Sequence, residues 1–158
     1  MKLQQIITSD RIRLDVEAGS SEEVIKILIE ALAESGAIEH PDLVQRAVID
    51  RERQVGTGIG SGVAIPHAEP GPYLKPIAAF GRLRKPVNFH APDGKKADLI
   101  FLLLTPDQTP ALHVRLLARI CRLTRSENFR RQLREASTPD EAARKIAELE
   151  TDYPELTP

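Results

Sequence analysis

The sequence predicts a single α/β domain in which a mixed central β-sheet is flanked by helices on both faces. Helical periodicity of apolar residues fills both ends of the chain, and short apolar runs bounded by Gly, Pro and Asp fill its middle. The last of these runs is apolar without alternation, which indicates a strand covered by helices on both faces. We expect one domain over residues 1–158, with its core at about 3–150 and a frayed tail at 151–158.

Composition defines the broad class of protein. The chain is 41% hydrophobic and 28% charged with a net charge of -1, so it has no global field to recruit nucleic acid or an anionic membrane. Aromatic residues are only 4%, which argues against stacking platforms for single-stranded nucleic acid. No apolar run approaches the roughly 18 residues of a membrane span. The single cysteine, Cys121, excludes an intramolecular disulfide, so we expect a cytoplasmic protein without membrane insertion.

The first third of the chain is predicted to hold an extended arm and two helices. Residues 1–19 are interpreted as the arm because apolar and charged residues alternate in its second half. The first helix should run from a capping box that begins at Ser20 to the neighbourhood of Gly36. The second should have Pro41 in its first turn and stop before Gly56. This second helix is expected to turn four apolar residues inward: Leu43, Val44, Ala47 and Val48.

The middle and last thirds predict strands followed by helices. Short apolar runs place three strands at residues 63–65, 77–83 and 99–104. The helical period returns over residues 112–123, and a short helix follows over 126–133. A last helix should open at a second capping box, formed by Thr138 and Glu141.

The most unusual segment is the glycine-rich run at residues 56–62, which leads into a strand ended by Pro66 and His67. Four glycines on alternate positions argue against a helix or an ordinary strand. A P-loop requires Gly-Lys-Ser/Thr at its end, and a dinucleotide fingerprint requires a strand before the glycines and a helix after them. The sequence meets neither condition. The remaining interpretation is a loop whose backbone N–H groups converge on an anion.

His67 is the candidate nucleophile next to this loop. Pro66 fixes its own φ and restricts the residue before it, so the imidazole is presented from a stiff backbone. Neutral imidazole is a competent nucleophile near neutral pH, and an N-phosphoryl bond is reactive enough for the group to be passed on. From these residues alone, a phosphoryl acceptor and an ordinary turn histidine are about equally good interpretations.

Residues 57–67, Thr-Gly-Ile-Gly-Ser-Gly-Val-Ala-Ile-Pro-His, resemble the active-site signature of the fructose/mannitol-type enzyme IIA family of the phosphotransferase system. The resemblance extends over nearly the whole chain and includes residues 3–16, 51–53, 98–106 and 113–120. It implies the enzyme IIA fold and a transferase component that is phosphorylated on His67. It also implies that no cofactor is needed, because a protein resembling HPr delivers the phosphoryl group.

The resemblance implies roles for further residues. Arg51 matches an arginine that would bind phosphoryl oxygens, and His113 matches a second histidine that would orient or stabilise the active imidazole or its phosphate. Judged without the family, Arg51 is a solvated helix end and His113 a boundary histidine. A zinc site from His67, His90 and His113 is a further alternative, but no metal-spaced pair supports it, and we expect no metal. The loop expected beside the phosphate consists of Thr57, Gly58, Ile59, Gly60, Ser61 and Gly62.

Two branches of the family and one other class of protein are compatible with the sequence. The chain ends soon after the last predicted helix, and residues 1–7 and 16–18 resemble the nitrogen-regulatory branch. That branch implies regulatory targets such as ion transporters and sensor kinases. The alternative is a transport component that passes phosphate to an enzyme IIB for uptake of fructose or mannitol. A non-catalytic regulatory binding module is the third possibility.

Overall fold

The computed structural model describes residues 1–152, so the predicted fraying of the tail falls mostly on residues outside the described part. Residues 1–152 contain five strands: β1 Ile12–Val16, β2 Gly58–Gly60, β3 Val63–Ala64, β4 Ile77–Val87 and β5 Ala97–Leu104. The same part of the chain contains five α-helices around them: α1 Ser21–Glu34, α2 Pro41–Gln54, α3 Pro110–Thr124, α4 Glu127–Glu135 and α5 Pro139–Glu150.

The five strands form one mixed sheet in the order β1-β4-β5-β3-β2. β1 runs parallel to β4, and β3 runs parallel to β5. The β4–β5 and β2–β3 pairs are antiparallel. The mixed sheet predicted from the sequence is therefore confirmed.

β5 is the central element of the core, as its unbroken apolar sequence predicts. Its side chains from Leu99 to Leu104 are 0% exposed, because helices cover both faces of the sheet. Alternate residues enter two separate cores. Phe101 packs with Leu116, Ile120 and residues of α4 and α5 on one face. Leu102 packs with residues of α1 and α2 on the other.

The predicted helix starts are confirmed by their caps. The Ser20 side chain accepts the backbone N–H of Glu23, and the Thr138 side chain accepts that of Glu141. Each glutamate carboxylate accepts the N–H of the residue that precedes the cap. Such caps contribute about 1 kcal/mol each to helix stability.

The first half of the predicted extended arm is not extended. Two short 3-10 turns occupy Leu3–Gln5 and Ser9–Arg11, and only β1 is a strand. Leu3, Ile6 and Ile7 are all buried in one core, which is the spacing of a helical turn and not of alternating strand residues. The expectation of an arm over residues 1–19 was therefore wrong before β1.

The inward face of α2 is narrower than predicted. Val44 and Val48 are buried, but Leu43 is 62% exposed and Ala47 is also exposed. The buried stripe continues one turn later at Glu52, which is 7% exposed. This i, i+4, i+8 stripe is narrow because α2 packs mainly against α1 and lies at the margin of the sheet.

Two strand boundaries also differ from the expectation. β4 continues past residue 83 to Val87, and the glycine run contains the short strand β2, which we did not expect. Gly58 makes this strand possible, because a Cβ there would lie 2.9 Å from both the backbone nitrogen and the Cβ of Ala91. The alternating glycines therefore permit a close backbone approach within the sheet margin.

A candidate active site around His67 and His113

His67 lies shortly after β3 and beside the end of β5. The carbonyl of Pro66 accepts the N–H of Leu103 at 3.0 Å, and His67 forms a parallel bridge with Leu103. The backbone that carries the imidazole is thus attached to the buried strand β5. The residue itself is partly exposed. This anchoring presents the side chain from a backbone with little freedom, as the Pro66–His67 sequence predicts.

The hydrogen bond of the His67 ring identifies its free nitrogen. Nδ1 lies 2.8 Å from the carbonyl oxygen of Ile65. A carbonyl oxygen can only accept, so Nδ1 must carry the proton and donate it. Nε2 then has an available lone pair. The sequence alone could not assign this tautomer.

His113 lies in the first turn of α3 and is 8% exposed. Its ring centroid is 5.4 Å from that of His67, with an angle of 59° between the ring planes. Burial lowers the pKa of His113, and the proximity of His67 also lowers it, while Glu69 acts in the opposite direction. His113 is therefore neutral at pH 7. The structure brings the two predicted histidines together.

Arg51 lies in the last turn of α2 but makes no described contact with either histidine. Its Nη1 donates to the carbonyl oxygen of Val55 at 2.8 Å. Within residues 1–152 its other guanidinium N–H groups have no acceptor, so they are available to a ligand. The neighbouring Arg53 pairs with Glu22 at 2.7 Å and is thus held away from this role.

Three N–H groups of the glycine-rich loop, those of Thr57, Gly58 and Ser61, are used inside the protein. Thr57 donates its backbone N–H to Oε1 of Glu52 at 3.0 Å and its hydroxyl to Oε2 of the same carboxylate at 2.5 Å. Gly58 donates its N–H to the Phe89 carbonyl at 3.0 Å. Ser61 donates its N–H to Oδ2 of Asp93 at 2.9 Å. These three donors hold the loop in place and are not free to bind an anion.

The tip of the loop is attached to α4. Ser61 has a φ of 56° between Gly60 and Gly62, whose φ values are 102° and 80°. The Ser61 carbonyl accepts from Nη2 of Arg134 at 3.1 Å, and Arg134 pairs with Asp98 at 2.9 Å. The glycines allow this sharp turn, and the ionic contacts fix its orientation.

Sequence reasoning missed two polar residues that support the site. Thr105 follows the buried strand β5, and its Oγ1 lies 2.6 Å from Nδ1 of His113. Glu52 is buried in the last turn of α2 and holds Thr57. The sequence signal for Thr105 is a polar residue directly after a buried apolar strand; Glu52 continues the buried stripe of its helix.

His90 is not part of the His67 site. It lines a separate cavity of about 400 Å³ together with Glu52 and Arg53. Within residues 1–152, no three His, Cys, Asp or Glu side chains are grouped so that they could hold a metal ion. No helix in the same part of the chain has the length and apolar content needed to cross a membrane.

The family is shown by comparison with known proteins. Residues 5–149 match the family described as phosphoenolpyruvate-dependent sugar phosphotransferase system, EIIA 2. The chain belongs to this family and is a phosphotransferase-system component.

Individual relatives come from both branches of the family. A nitrogen regulatory protein of Pseudomonas aeruginosa is 34% identical over 89% of the chain and 91% of the relative. The fructose-specific EIIABC component of Bacillus subtilis is also 34% identical over 89% of the chain, but the match spans only 22% of that relative's length. The crystal structure of nitrogen regulatory protein IIA-Ntr from Neisseria meningitidis superposes with a TM-score of 0.82 at 31% identity, covering 91% of this chain and 98% of the other.

Proposed function

We propose that the chain is a phosphohistidine carrier that accepts a phosphoryl group on Nε2 of His67 from an HPr-type phosphocarrier. The observation that carries the proposal is the hydrogen bond from Nδ1 to the Ile65 carbonyl, which leaves Nε2 unprotonated beside a second histidine. A nucleophilic lone pair held on a rigid backbone is what in-line phosphoryl transfer requires.

The transfer step needs no proton movement at His67. The Nε2 lone pair forms the new bond to phosphorus, and the bond between phosphorus and the donor breaks with its electron pair kept by the donor. The Nδ1 proton stays in its hydrogen bond to Ile65. Because the phosphorylated ring gains positive charge, that hydrogen bond becomes charge-assisted and stabilises the product.

We assign supporting roles to the other predicted site residues. His113 orients the active imidazole or stabilises its phosphate, and its low exposure and neutral state suit a hydrogen-bonding role. The unused N–H groups of Arg51 would bind phosphoryl oxygens. For the loop at residues 57–62, the contacts favour shaping the site over binding the anion through Thr57, Gly58 or Ser61. No cofactor is required by this chemistry.

The regulatory branch is the first candidate for the output of the carrier. Its support is the nitrogen regulatory relative matched over 91% of its length and the IIA-Ntr structure matched over 98%. The phosphorylation state of His67 would then change affinity for regulatory targets such as ion transporters or sensor kinases, because it adds about two negative charges at one spot. The alternative is transfer to an enzyme IIB for sugar uptake, which the fructose-specific relative supports at equal identity.

The proposed function is tested by intact mass after incubation with phosphoenolpyruvate, enzyme I and an HPr-type carrier. We expect one acid-labile phosphate on the wild type and on His40→Ala, an exposed-histidine control, and none on His67→Ala. Comparing carriers of the nitrogen and sugar branches as donors, and an enzyme IIB as acceptor, separates the two branches. If folded wild-type protein takes no phosphate from any donor, the chain is a non-catalytic binding module.

A further inference from the structure

Thr105 is a fully buried polar residue that contacts His113. It follows the last residue of β5 and is 0% exposed. Its backbone carbonyl accepts the N–H of Gly71 at 2.9 Å, so its position is fixed from two sides. Its Oγ1 lies 2.6 Å from Nδ1 of His113. In residues 1–152 this nitrogen is the only hydrogen-bond partner of the Thr105 hydroxyl.

The direction of this hydrogen bond follows from the cost of unpaired groups. If Nδ1 of His113 carried the proton, it would donate to Oγ1, and the buried hydroxyl proton would have no acceptor. If Nδ1 has the lone pair, the hydroxyl donates to it and both groups are satisfied. A buried donor left unpaired costs a substantial desolvation penalty, whereas an oxygen with an unused lone pair is more readily tolerated. The second arrangement is therefore favoured.

We propose that Thr105 is a positioning residue that fixes His113 in the Nε2–H tautomer, so that His113 presents a hydrogen-bond donor to the phosphoryl group of His67. The two rings then have opposite tautomers. His67 donates through Nδ1 and has a free lone pair at Nε2, whereas His113 accepts through Nδ1 and donates through Nε2.

The opposite tautomers suit transfer in both directions. A preset N–H group aimed at developing negative charge stabilises a transition state without reorganisation. In the other tautomer, His113 would direct a lone pair towards the phosphoryl oxygens and repel them. The effect of Thr105 on transfer rests on the proposed function, but the tautomer of His113 does not.

The tautomer is measured first, in unphosphorylated protein labelled with ¹⁵N, by long-range ¹H–¹⁵N correlation of the imidazole rings. The chain has four histidines, and the signals of His113 and His67 are identified by their absence in His113→Gln and His67→Ala. We expect His113 to be protonated at Nε2 and His67 at Nδ1. A wild-type His113 protonated at Nδ1 would overturn the proposal, whatever the transfer assays show.

The isosteric pair Thr105→Val and Thr105→Ser tests the hydroxyl. Thr105→Val removes the hydroxyl that donates the hydrogen bond, at nearly constant side-chain volume, so we expect mixed tautomers at His113. We also expect the maximal rate of phosphoryl transfer to fall about ten-fold, while the half-saturating concentration of the HPr-type carrier stays unchanged. Thr105→Ser keeps the hydroxyl and should restore both the tautomer and the rate to within roughly two-fold. A folded Thr105→Val with the wild-type tautomer and rate would contradict the proposal. If Thr105→Val does not fold, the wild-type spectrum and Thr105→Ser still decide it.

If the wild type takes no phosphate but shows the expected tautomer, the proposed function fails while the assignment of Thr105 stands. If the wild type takes phosphate but His113 has the other tautomer, the proposed function stands while the assignment of Thr105 fails. The two proposals therefore fail separately.

Discussion

At the residue scale, the two histidines of the site differ because their hydrogen-bond partners differ. The partner of His67 is a carbonyl oxygen, which can only accept, and the ring remains half-buried at the surface. The partner of His113 is a buried hydroxyl, which can also donate, and the ring is enclosed at the start of α3. One imidazole is therefore suited to attack an electrophile and the other to stay neutral and hold a fixed hydrogen bond.

The lowered pKa of His113 predicts a pH dependence of stability. Because burial lowers this pKa below the ordinary histidine value of 6.5, the unfolded chain binds the proton more readily than the folded one. The destabilising effect of His113 is therefore absent at pH values above its pKa in the unfolded chain. The free energy of unfolding falls as the pH drops from that pKa towards the lower pKa in the folded protein. We expect urea titrations at about pH 7.5 and about pH 5.5 to show a larger loss for the wild type than for His113→Gln.

Both proteins share every other titrating group, so the difference between their losses of unfolding free energy is the relevant quantity. An equal loss of unfolding free energy in the two proteins would contradict the assigned shift.

At the element scale, the glycine-rich run forms a closely packed edge strand of the sheet and not an open anion-binding loop. β2 lies against residues 89–91, and its neighbours are tied to Glu52, Asp93 and Arg134. The run connects α2, which carries Arg51, to β3, which leads to His67. Its shape therefore sets the distance between the two ends of the proposed site.

Gly58→Ala tests the close packing of β2. The new Cβ would meet the Phe89 carbonyl oxygen and the backbone nitrogen and Cβ of Ala91 at 2.9 Å, and backbone atoms cannot move away cheaply. We expect the variant to be destabilised by about 1–3 kcal/mol in urea unfolding and to accept phosphate more slowly. Gly19→Ala is the matched control, because its Cβ would meet only the Glu23 carboxylate at 3.9 Å. Equal stability of the two variants would show that β2 packs less closely against residues 89–91 than the structure indicates.

Local signals in the sequence were sufficient to predict features that depend on the residues of one helix or strand alone. The caps at Ser20 and Thr138 and the apolar period defined the helices, and the unbroken run at 99–104 defined the central strand. Local signals failed to predict features that depend on contacts outside the local residue pattern. The turn at Leu3–Gln5 depends on the Glu150 carboxylate near the other end of the chain. The tautomer of His67 depends on the position of the Ile65 carbonyl beside the ring, which no residue pattern encodes.

At the scale of the whole molecule, Glu150 joins the two ends of the fold. Its carboxylate is fully buried and accepts the N–H groups of Leu3 at 2.7 Å and Gln4 at 2.8 Å. The same carboxylate pairs with Arg119 of α3 at 3.3 Å, whose side chain is 12% exposed. Leu3 enters the core that also contains Leu116 of α3. The contact thus supports the helix that carries His113.

Glu150→Gln tests this junction. The variant keeps one acceptor oxygen but places an amide NH₂ against donors, and it leaves the largely buried Arg119 without its charge partner. We expect a loss of about 2–3 kcal/mol in the free energy of unfolding and faster hydrogen exchange at the amides of Leu3 and Gln4. Glu148→Gln, on the same helix with its side chain 55% exposed, should change stability by less than about 0.5 kcal/mol.

If Glu150→Gln lowers stability but leaves the amides of Leu3 and Gln4 protected, the carboxylate stabilises α3 through Arg119 and does not anchor the N-terminal turn. Faster exchange at both amides, with slower phosphoryl transfer, would instead show that the anchored turn supports the position of His113.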